Sequence, residues 1–271
     1  GTIAKKIRKK TNIKIIALCH NAIPHEQRPG DMYLLKYFLK KCHGFITLSK
    51  SVADDIQRIT GSQNVKFIPH PIYDIFGEKI EKNSAKKQLS LDKDTNYILF
   101  FGLIRKYKGL DLLIKALGQK SLKKMNIKLL ITGEFYENKE DYLKLIKDYG
   151  IEKNVIINDS YIPTVQVKYY FSAADLVAQT YHSATQSGVT QIAYHFDCPM
   201  LVTNVGGLAE IVPHEKTGYV TEKDPKDIAN AILDFYEKKR ENYFRNNIKE
   251  EKKRFSWDNM VAGIENLVHE I

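Results

Sequence analysis

The stretch "YILFFGLIRKYKGLDLLIKAL", from Tyr97 to Leu117, decides the fold class of this 271-residue chain. Its first five residues form an unbroken apolar run, which is typical of a buried β-strand. Gly102 ends the run, and the apolar residues beyond it recur at helical spacing: Leu110, Leu113, Ile114 and Leu117. A buried strand followed by an amphipathic helix predicts a β-α-β unit, and therefore a parallel α/β sheet.

The same alternation of apolar strands and amphipathic helices extends along the whole chain. Further strands are predicted at "IKIIAL" (13–18), "GFITLS" (44–49), "VKFIPHP" (65–71), "KLLITG" (128–133), "NVIIND" (154–159), "ADLVAQ" (174–179) and "PMLVTN" (199–204). Helices are predicted between them, as at Asp31 to Lys41. Sheets built in this way are parallel and are covered by helices on both faces. Residues 71–96 are polar and irregular, which is typical of a linker.

Two such series of elements, joined by a hinge that contains two prolines, predict two Rossmann-like domains. The first is expected at residues 1–72 and is incomplete, and the second is expected at residues 73–271. The last helix, which contains Ile264 and Leu267, is expected either to stay with the second domain or to pack back on the first. Because the chain begins with Gly1 inside a helical pattern, we expect an N-terminal portion to be absent.

Composition limits the classes of function. Apolar residues make up 43% of the chain and charged residues 27%, as in water-soluble globular proteins. The three cysteines lack the spacing of metal ligands, which favours a reduced, cytoplasmic protein. No apolar run reaches the roughly 20 residues that span a bilayer, and no signal-peptide pattern is present.

The chain carries a formal net charge of +10, and six of its cations lie in the N-terminal stretch "GTIAKKIRKKTNIK". The cluster from Lys5 to Lys14 has two interpretations. It is either a solvated helix face or a patch that contacts an anionic membrane surface or an anionic acceptor. The second interpretation places the protein peripherally at the inner face of the membrane. Nucleic acid is not expected as a partner, because the sequence has no nucleic-acid-binding motif with interleaved aromatic residues.

Ligands of open parallel sheets bind beyond the carboxyl ends of the strands, so the loops there are the candidate sites. The loop after Phe101 places Arg105 and Lys108 three residues apart, at the predicted start of a helix. Cations are unfavourable at a helix N-terminus unless an anion lies between them. A diphosphate would satisfy this arrangement, and two solvated cations on a surface turn are the alternative.

The loop "QTYHSATQSGVTQIAYHF" (179–196) places small hydroxyl residues and a glycine ahead of an apolar helical run. The helix is predicted to begin near Ser187 or Gly188, and the first N–H groups of a helix have no partner inside it. Such a helix start binds phosphate through its backbone, whereas the alternative is a simple N-cap by Ser187. The residues expected at this ligand site are Thr185, Gln186, Ser187, Gly188, Val189, Thr190 and Gln191.

Two other loops carry candidate residues. His20 lies at the carboxyl end of the first predicted strand, where it is either functional or structural, and a zinc site from His20 and His25 is disfavoured for want of a third ligand. Glu210 follows Gly206 and Gly207, and it either faces the ligand or stabilises a helix start. The sequence has no nucleophile elbow, Walker loop or dinucleotide fingerprint, which argues against hydrolases, P-loop NTPases and nicotinamide dehydrogenases.

Together these loops resemble those of the retaining glycosyltransferases of family 4, which have the GT-B architecture of two Rossmann-like domains. The family's "G-x-(I/V)-x-x-x-K-G-x-D-x-L-(I/L)-x-A" appears as "GLIRKYKGLDLLIKA" (102–116). Its "P-V-(V/I)-x-(S/T)-x-x-G-G-x-x-E-(I/V)-V" is similar to "PMLVTNVGGLAEIV" (199–212). The resemblance covers residues 13–271 and is strongest over residues 97–221.

The resemblance implies a UDP- or GDP-sugar as donor, with Arg105 and Lys108 on its diphosphate. His20 would be the catalytic residue near the donor sugar and the departing diphosphate. The other donor-binding positions that the resemblance implies, beside the loop at 185–191, are Gly102, Gly133 and Glu134, with Tyr161 and Ile162 at the nucleotide base.

The resemblance also implies transfer with retention to a glycan or lipid-linked acceptor, in bacterial cell-surface polysaccharide synthesis. Residues 1–72 would be the second half of the acceptor-side domain, and residues 73–271 the nucleotide-sugar-binding domain. No metal is expected, because no carboxylate cluster is placed to hold one. Without the absent portion, this fragment is expected to be inactive alone.

One departure from the family pattern matters. Relatives carry two glutamates in "E-G-(F/L)-G-x-x-x-L-E-A", where this chain has either Ala184 and Ile192 or, with a one-residue offset, Thr185 and Ala193. The polar substitutes nearby are Thr185, Gln186, Ser187 and Gln191, of which Gln191 is the one expected to contact a ribose or sugar. The missing carboxylates leave open a non-catalytic nucleotide-sugar-binding or scaffold module. A GT-B epimerase is a further alternative, although it would need carboxylates for proton transfer.

Overall fold

The structure, a computed structural model, describes residues 1–23 and 28–271. His25, considered above as a zinc ligand, lies outside the described residues. The chain divides into two compact units, one formed by Gly1–Pro71 together with Arg254–Ile271 and the other by Ile72–Lys253. The C-terminal helix therefore belongs to the first unit, and the remainder of residues 73–271 forms the second.

The helices, in chain order, are α1 (Thr2–Lys10), α2 (Asp31–Leu39), α3 (Lys50–Thr60), α4 (Lys82–Gln88), α5 (Leu110–Leu117), α6 (Lys120–Lys123), α7 (Lys139–Asp148), α8 (Thr164–Ala173), α9 (Gly188–His195), α10 (Leu208–Ile211), α11 (Pro225–Glu237), α12 (Glu241–Glu251) and α13 (Trp257–Glu270). The strands are β1 (Ile16–Cys19), β2 (Gly44–Thr47), β3 (Val65–Phe67), β4 (Asn96–Phe101), β5 (Ile127–Thr132), β6 (Val155–Asn158), β7 (Leu176–Gln179), β8 (Met200–Thr203) and β9 (Gly218–Thr221). Short 3₁₀ turns lie at Lys106–Lys108, Glu152–Asn154 and Lys252–Phe255.

The first unit is a three-stranded parallel sheet with the order β1-β2-β3. Successive residues of β2 point to opposite faces, so Phe45 packs in a cluster with Val52 of α3 while Ile46 packs in a second cluster with Leu267 of α13. Leu267 is fully buried. Burial of this side chain explains why the C-terminal helix belongs with the first sheet, although it follows the second unit in sequence.

The second unit is a six-stranded parallel sheet with the order β6-β5-β4-β7-β8-β9. The chain winds outward from β4 in one direction and then outward from β7 in the other, as in doubly wound α/β folds. One face of the sheet buries Phe100 and Ile131 against Leu113 of α5 and Ile232 of α11. The predicted parallel α/β fold in two Rossmann-like units is confirmed.

The prediction of local structure was wrong for residues 71–96 and incomplete elsewhere. The segment 71–96, interpreted as irregular, contains the helix α4. Ala85 is the one apolar residue of this helix and is buried, so the sequence shows no helical pattern of apolar residues there. The strand β9 and the helix α12 were also missed. The helix α12 buries just Phe244 and Ile248 in eleven residues, which is too little to produce a helical pattern. Among the residues that the structure describes, no helix is long and apolar enough to cross a membrane.

Candidate functional site

The winding of the second unit changes direction between β4 and β7, which are neighbours in the sheet. Loops that leave two such strands at their carboxyl ends diverge and leave a crevice between them, where ligands of doubly wound folds bind. The loop after β4 carries Arg105 and Lys108, and the loop after β7 carries residues 180–187. The two loops that were predicted from the sequence as candidate ligand sites therefore flank this crevice.

The loop after β4 does not lead directly into a helix. Arg105 precedes the 3₁₀ turn Lys106–Lys108, and α5 begins only after Gly109, which has a left-handed φ of 64°. The prediction that Arg105 and Lys108 lie at the start of the helix was therefore wrong. Gly109 interrupts the helical geometry, so both cations project from a separate turn ahead of α5.

Lys108 is a half-buried cation. Burial, together with repulsion from Arg105, lowers the pKa of its ammonium to about 8. Within residues 1–23 and 28–271, no carboxylate forms an ion pair with it. A partly desolvated cation without a counter-charge is costly, so the position of Lys108 favours an anionic ligand.

Arg105 is exposed, and its guanidinium lies 4.9 Å from the centre of the Tyr136 ring. This distance is typical of a cation–π contact. Tyr136 belongs to the loop after β5, and its N–H donates to the Ile104 carbonyl at 3.0 Å. The loop after β5 therefore helps to orient Arg105, whose exposed guanidinium can still contact an anion.

Hydrogen bonds tie the loop after β7 to the turn that holds Lys108. The Thr180 hydroxyl donates to the Gly109 carbonyl at 2.7 Å, and the His182 N–H donates to the Tyr107 carbonyl at 2.7 Å. The His182 side chain also bonds the Asp111 carboxylate through Nε2, at 2.8 Å. The two walls of the crevice are thus fixed to each other.

The helix α9 begins at Gly188, as predicted, with Ser187 as its N-cap. The Ser187 hydroxyl accepts from the Val189 N–H at 3.2 Å, and the Ser187 carbonyl accepts from the Thr190 N–H at 3.3 Å. Capping by Ser187, the simpler of the two interpretations, is therefore present. The N–H group of the exposed Gly188, the first residue of α9, has no hydrogen-bond partner in the described part of the chain.

Thr185 and Gln186 lie half-buried in the loop ahead of Ser187. The Thr185 carbonyl accepts from the Gly207 N–H at 3.0 Å. A Cβ on Gly206 would lie 1.7 Å from the Ala184 carbonyl oxygen, and Gly206 has a positive φ of 47°. Glycine is therefore required at position 206 for the two loops to approach each other, and Glu210 follows in the first turn of α10.

Gln191 lies inside α9 and is 1% exposed. Neither its amide oxygen nor its amide nitrogen has a hydrogen-bond partner among the described residues, and the same holds for Gln179 at the end of β7. A buried amide without partners is destabilising and requires an explanation, such as a bound ligand or water. Both alternatives for the second family glutamate, Ile192 and Ala193, are buried apolar residues of the same helix.

The remaining positions that were predicted to bind the donor surround a pocket of ≈ 140 Å³ beside this crevice. Its lining residues are Phe101, Gly102, Leu103, Gly133, Glu134, Tyr161 and Ile162. The walls are mainly apolar, with the exposed Tyr161 at the rim and the buried Ile162 deeper in. Pockets of this composition suit a flat, largely apolar ring with a polar edge. The structure therefore brings Gly102, Gly133 and Glu134 together with the two residues expected at the base.

His20 belongs to the first unit, where it follows β1 directly and is exposed. The centre of its ring lies 6.5 Å from that of His70, which follows β3. Both histidines thus lie at the carboxyl edge of the first sheet. Across residues 1–23 and 28–271, no group of three or more His, Cys, Asp or Glu side chains is arranged to hold a metal ion.

Four residues of the crevice were not predicted from the sequence: Asp111, Tyr136, Tyr181 and His182. Tyr181 and His182 stand in the quoted loop, immediately ahead of the hydroxyl residues. Asp111, the partner of His182, lies 71 positions away in sequence, and Tyr107 and Lys108, which the Tyr181 ring contacts, are similarly distant. Local spacing carries no signal for such pairs.

Comparison with known families gives the class of protein that this fold and site define. The family described as "Glycosyl transferases group 1" matches residues 81–255. The match covers more than half of the chain and the whole crevice. The chain therefore belongs to the group 1 glycosyl transferases.

Individual relatives agree with this assignment. An uncharacterised glycosyltransferase of Methanocaldococcus jannaschii is 30% identical over 228 residues, which are 80% of this chain and 57% of that protein. The lipopolysaccharide 1,2-N-acetylglucosaminetransferase of Salmonella typhimurium is 23% identical over 278 residues, which are 96% of this chain and 68% of that protein. The chain thus spans little more than half the length of the first of these proteins.

The fold also matches a solved structure. Anabaena HepE in complex with UDP has a TM-score of 0.81 and is 16% identical, over 100% of this chain and 81% of that one. At this low identity the likeness concerns the fold alone. It shows an α/β fold with parallel sheets in two Rossmann-like halves, as in GT-B glycosyltransferases.

Proposed function

We propose that this protein is a glycosyltransferase that takes a sugar from a UDP- or GDP-sugar and transfers it to a glycan or lipid-linked acceptor with retention. The observation that carries the proposal is Lys108, a half-buried cation without a carboxylate partner in the described chain, beside the crevice between β4 and β7. A partly desolvated cation is stabilised when an anion binds beside it. The diphosphate of a sugar donor is an anion of suitable charge and size.

The donor would lie across the carboxyl edge of the second sheet. Its base would occupy the pocket between Gly102 and Tyr161, and its diphosphate would contact Arg105, Lys108 and the N-terminus of α9 at Gly188. When the bond between sugar and phosphate breaks, negative charge builds on the departing diphosphate. Cations and backbone N–H groups held in place stabilise that charge most in the transition state.

Gln191 would bond hydroxyl groups of the ribose or the sugar, because its buried amide offers both a donor and an acceptor. Thr185, Gln186 and Ser187 would complete the polar lining where relatives carry a glutamate. His20 would lie near the sugar on the acceptor side. These are the roles that we assign in place of the two missing carboxylates, without a metal ion.

The acceptor side is assigned from charge and from relatives. The stretch from Lys5 to Lys14 carries six cations, of which Arg8 and Lys14 line one pocket together with His43. A concentration of positive charge of this kind suits an acceptor carried on an anionic membrane. The Salmonella relative acts on lipopolysaccharide, as its name states. We therefore propose cell-surface polysaccharide synthesis, by a cytoplasmic protein that is peripheral at the inner face of the membrane.

A second candidate is a nucleotide-sugar-binding module without catalysis. The observation that favours it is the replacement of the second family glutamate by Ile192 or Ala193, both of which are buried apolar residues. Both candidates predict donor binding, so binding alone does not separate them. Only turnover does.

Turnover is tested with a panel of UDP- and GDP-sugars, on this chain and on any longer natural form of the protein. We expect slow release of UDP or GDP from one donor, faster with a lipid-linked acceptor, and a product whose anomeric signals in NMR match the configuration of the donor. Tight binding of a donor by the longest form, with no release over many hours, would instead support the module.

A further inference from the structure

The Tyr181 side chain contacts both walls of the crevice, which are the loop after β4 and the loop after β7. It is 3% exposed and lies between Thr180 and His182, the two residues that bond the turn after β4. Its own carbonyl accepts from the Thr203 hydroxyl at 2.6 Å. Hydrogen bonds therefore fix the backbone at Tyr181 and at both of its neighbours. The point from which the side chain extends is fixed as a result.

The Tyr181 ring contacts the turn that carries the cations. The Lys108 ammonium lies 5.8 Å from the ring centre, and the Tyr107 ring packs edge-on against it with centres 6.1 Å apart. A cation within about 6 Å of an aromatic face is attracted by the ring quadrupole, more so when it is partly desolvated. The ring therefore restricts a flexible lysine side chain to one region of the crevice.

The Tyr181 hydroxyl contacts the other wall. It lies 3.2 Å from the Ser187 hydroxyl, which in turn accepts from the Val189 N–H at the start of α9. Burial raises the pKa of the phenol well above its usual range, so the group stays neutral and keeps its hydrogen bond at physiological pH. One side chain thus links the cation of the first loop to the cap of the helix in the second.

We propose that Tyr181 is a positioning residue of the diphosphate site, whose ring orients Lys108 and whose hydroxyl orients the Ser187 cap toward the same anion. The proposal rests on the donor site described above. Its physical basis is preorganisation: the lysine and the helix start lose little further freedom when the ligand binds. Tyr181 does not itself touch the donor.

A buried tyrosine that only filled the core would behave differently when it is changed. Its loss would lower the melting temperature, but the nucleotide affinity of the folded protein would stay the same. A positioning residue changes the affinity as well, and its effect depends on the groups through which it acts. Affinity measured on folded protein, together with double-mutant cycles, therefore separates the two roles.

The experiment measures dissociation constants of UDP and GDP by isothermal titration calorimetry. Tyr181→Phe removes only the hydroxyl, and we expect about threefold weaker binding, the usual effect of one neutral hydrogen bond. Tyr181→Leu removes the ring too, and we expect about tenfold or more. In a Ser187→Ala background Tyr181→Phe should have no further effect, and in a Lys108→Met background Tyr181→Leu should be no weaker than Tyr181→Phe.

The matched control is Tyr219→Phe. Tyr219 is also 3% exposed, and its hydroxyl bonds Asp234 between β9 and α11, so we expect a lower melting temperature with unchanged affinity. If both Tyr181 variants bind like the wild type, or if their effects simply add to those of Ser187→Ala and Lys108→Met, the positioning role is wrong while the donor site stands. If the wild type binds neither UDP nor GDP, both proposals fall.

Discussion

Thr180 and Gly109 lie in van der Waals and hydrogen-bond contact across the crevice of the second unit. The Thr180 hydroxyl donates to the Gly109 carbonyl at 2.7 Å, and a Cβ on Gly109 would lie 1.9 Å from the Thr180 carbonyl oxygen. Gly109 also has a left-handed φ of 64°. The distance between the two ligand loops therefore depends on the absence of a side chain at position 109.

We expect Gly109→Ala to be among the most damaging single changes in the second unit. The strained φ costs on the order of 1 kcal/mol, and separation of the loops adds to this, for a total of about 3 kcal/mol. Gly150→Ala is the control, because Gly150 has a similar φ of 59° but only the flexible end of Lys123 nearby, at 3.5 Å. Thermal unfolding followed by circular dichroism should show a much smaller loss of stability for the control. Equal losses of stability in the two variants would contradict the close contact between Gly109 and Thr180.

The pH dependence of donor binding follows from Lys108. Its pKa of about 8 in the unliganded protein lies below the usual 10.5, and only the protonated ammonium attracts a diphosphate. As the pH rises from 7 to 9 the charged fraction falls, so the affinity for UDP or GDP should fall roughly tenfold. The terminal phosphate of the nucleotide is ionised throughout this range. Titration calorimetry at several pH values measures this, with Lys108→Met as the variant that should bind weakly and lose the slope.

Gln191→Leu should separate stability from binding. Replacement of a buried amide without partners by an apolar group of similar shape is neutral or stabilising, so we expect a gain of about 1 kcal/mol in the unliganded protein. Donor affinity should fall about tenfold as the contacts of the amide are lost. Gln179→Leu removes a second unpartnered buried amide and should give a similar gain in stability. An unchanged affinity in Gln191→Leu would remove this residue from the donor site.

Asp111 should contribute stability that depends on pH. Burial opposes its charge, but hydrogen bonds from Lys115 and His182 outweigh this and hold the pKa of the carboxyl below its usual value. A lowered carboxyl pKa stabilises the folded state above the unfolded-state pKa near 4, and this stability is lost as the pH falls through the folded-state value.

The expected cost of Asp111→Asn is about 1 kcal/mol at pH 7, because the group is partly exposed. The difference from the wild type should shrink at pH 3.5. Urea unfolding at the two pH values measures both numbers. Asp148→Asn, at an exposed carboxylate of α7, should change little at either pH, and an equal cost for Asp111→Asn at pH 7 and pH 3.5 would contradict the paired carboxylate.

The sequence predicted the features that depend on local patterns. The apolar run before Gly102 predicted β4, and the hydroxyl-rich loop predicted the start of α9 at Gly188. Each of these signals consists of residues within one short stretch of sequence. The first reflects the burial of a strand, and the second reflects the capping of a helix. The parallel direction of the strands was predicted from their alternation with helices, because neighbouring parallel strands need a crossover connection.

The features that the sequence did not predict depend on contacts between distant residues. Gly109, with its left-handed φ, separates Arg105 and Lys108 from α5. Its backbone lies against Thr180, and no local sequence pattern predicts that close contact. The roles of Tyr181 and His182 likewise arise from partners in the loop after β4. The helix α4 is held by burial of Ala85, which a pattern of charged residues conceals.

The most direct test of the donor site is one calorimetric comparison at pH 7. UDP and GDP are titrated into the wild-type chain, the Arg105→Ala and Lys108→Ala double variant, and Lys249→Ala, a control at an exposed lysine of α12. We expect one of the two nucleotides to bind the wild type and the control with equal affinity, and the double variant to bind at least a hundredfold more weakly, since each charged hydrogen bond contributes about 1.5–3 kcal/mol. Binding that survives in the double variant, or no binding to the wild type at millimolar nucleotide, would contradict the account.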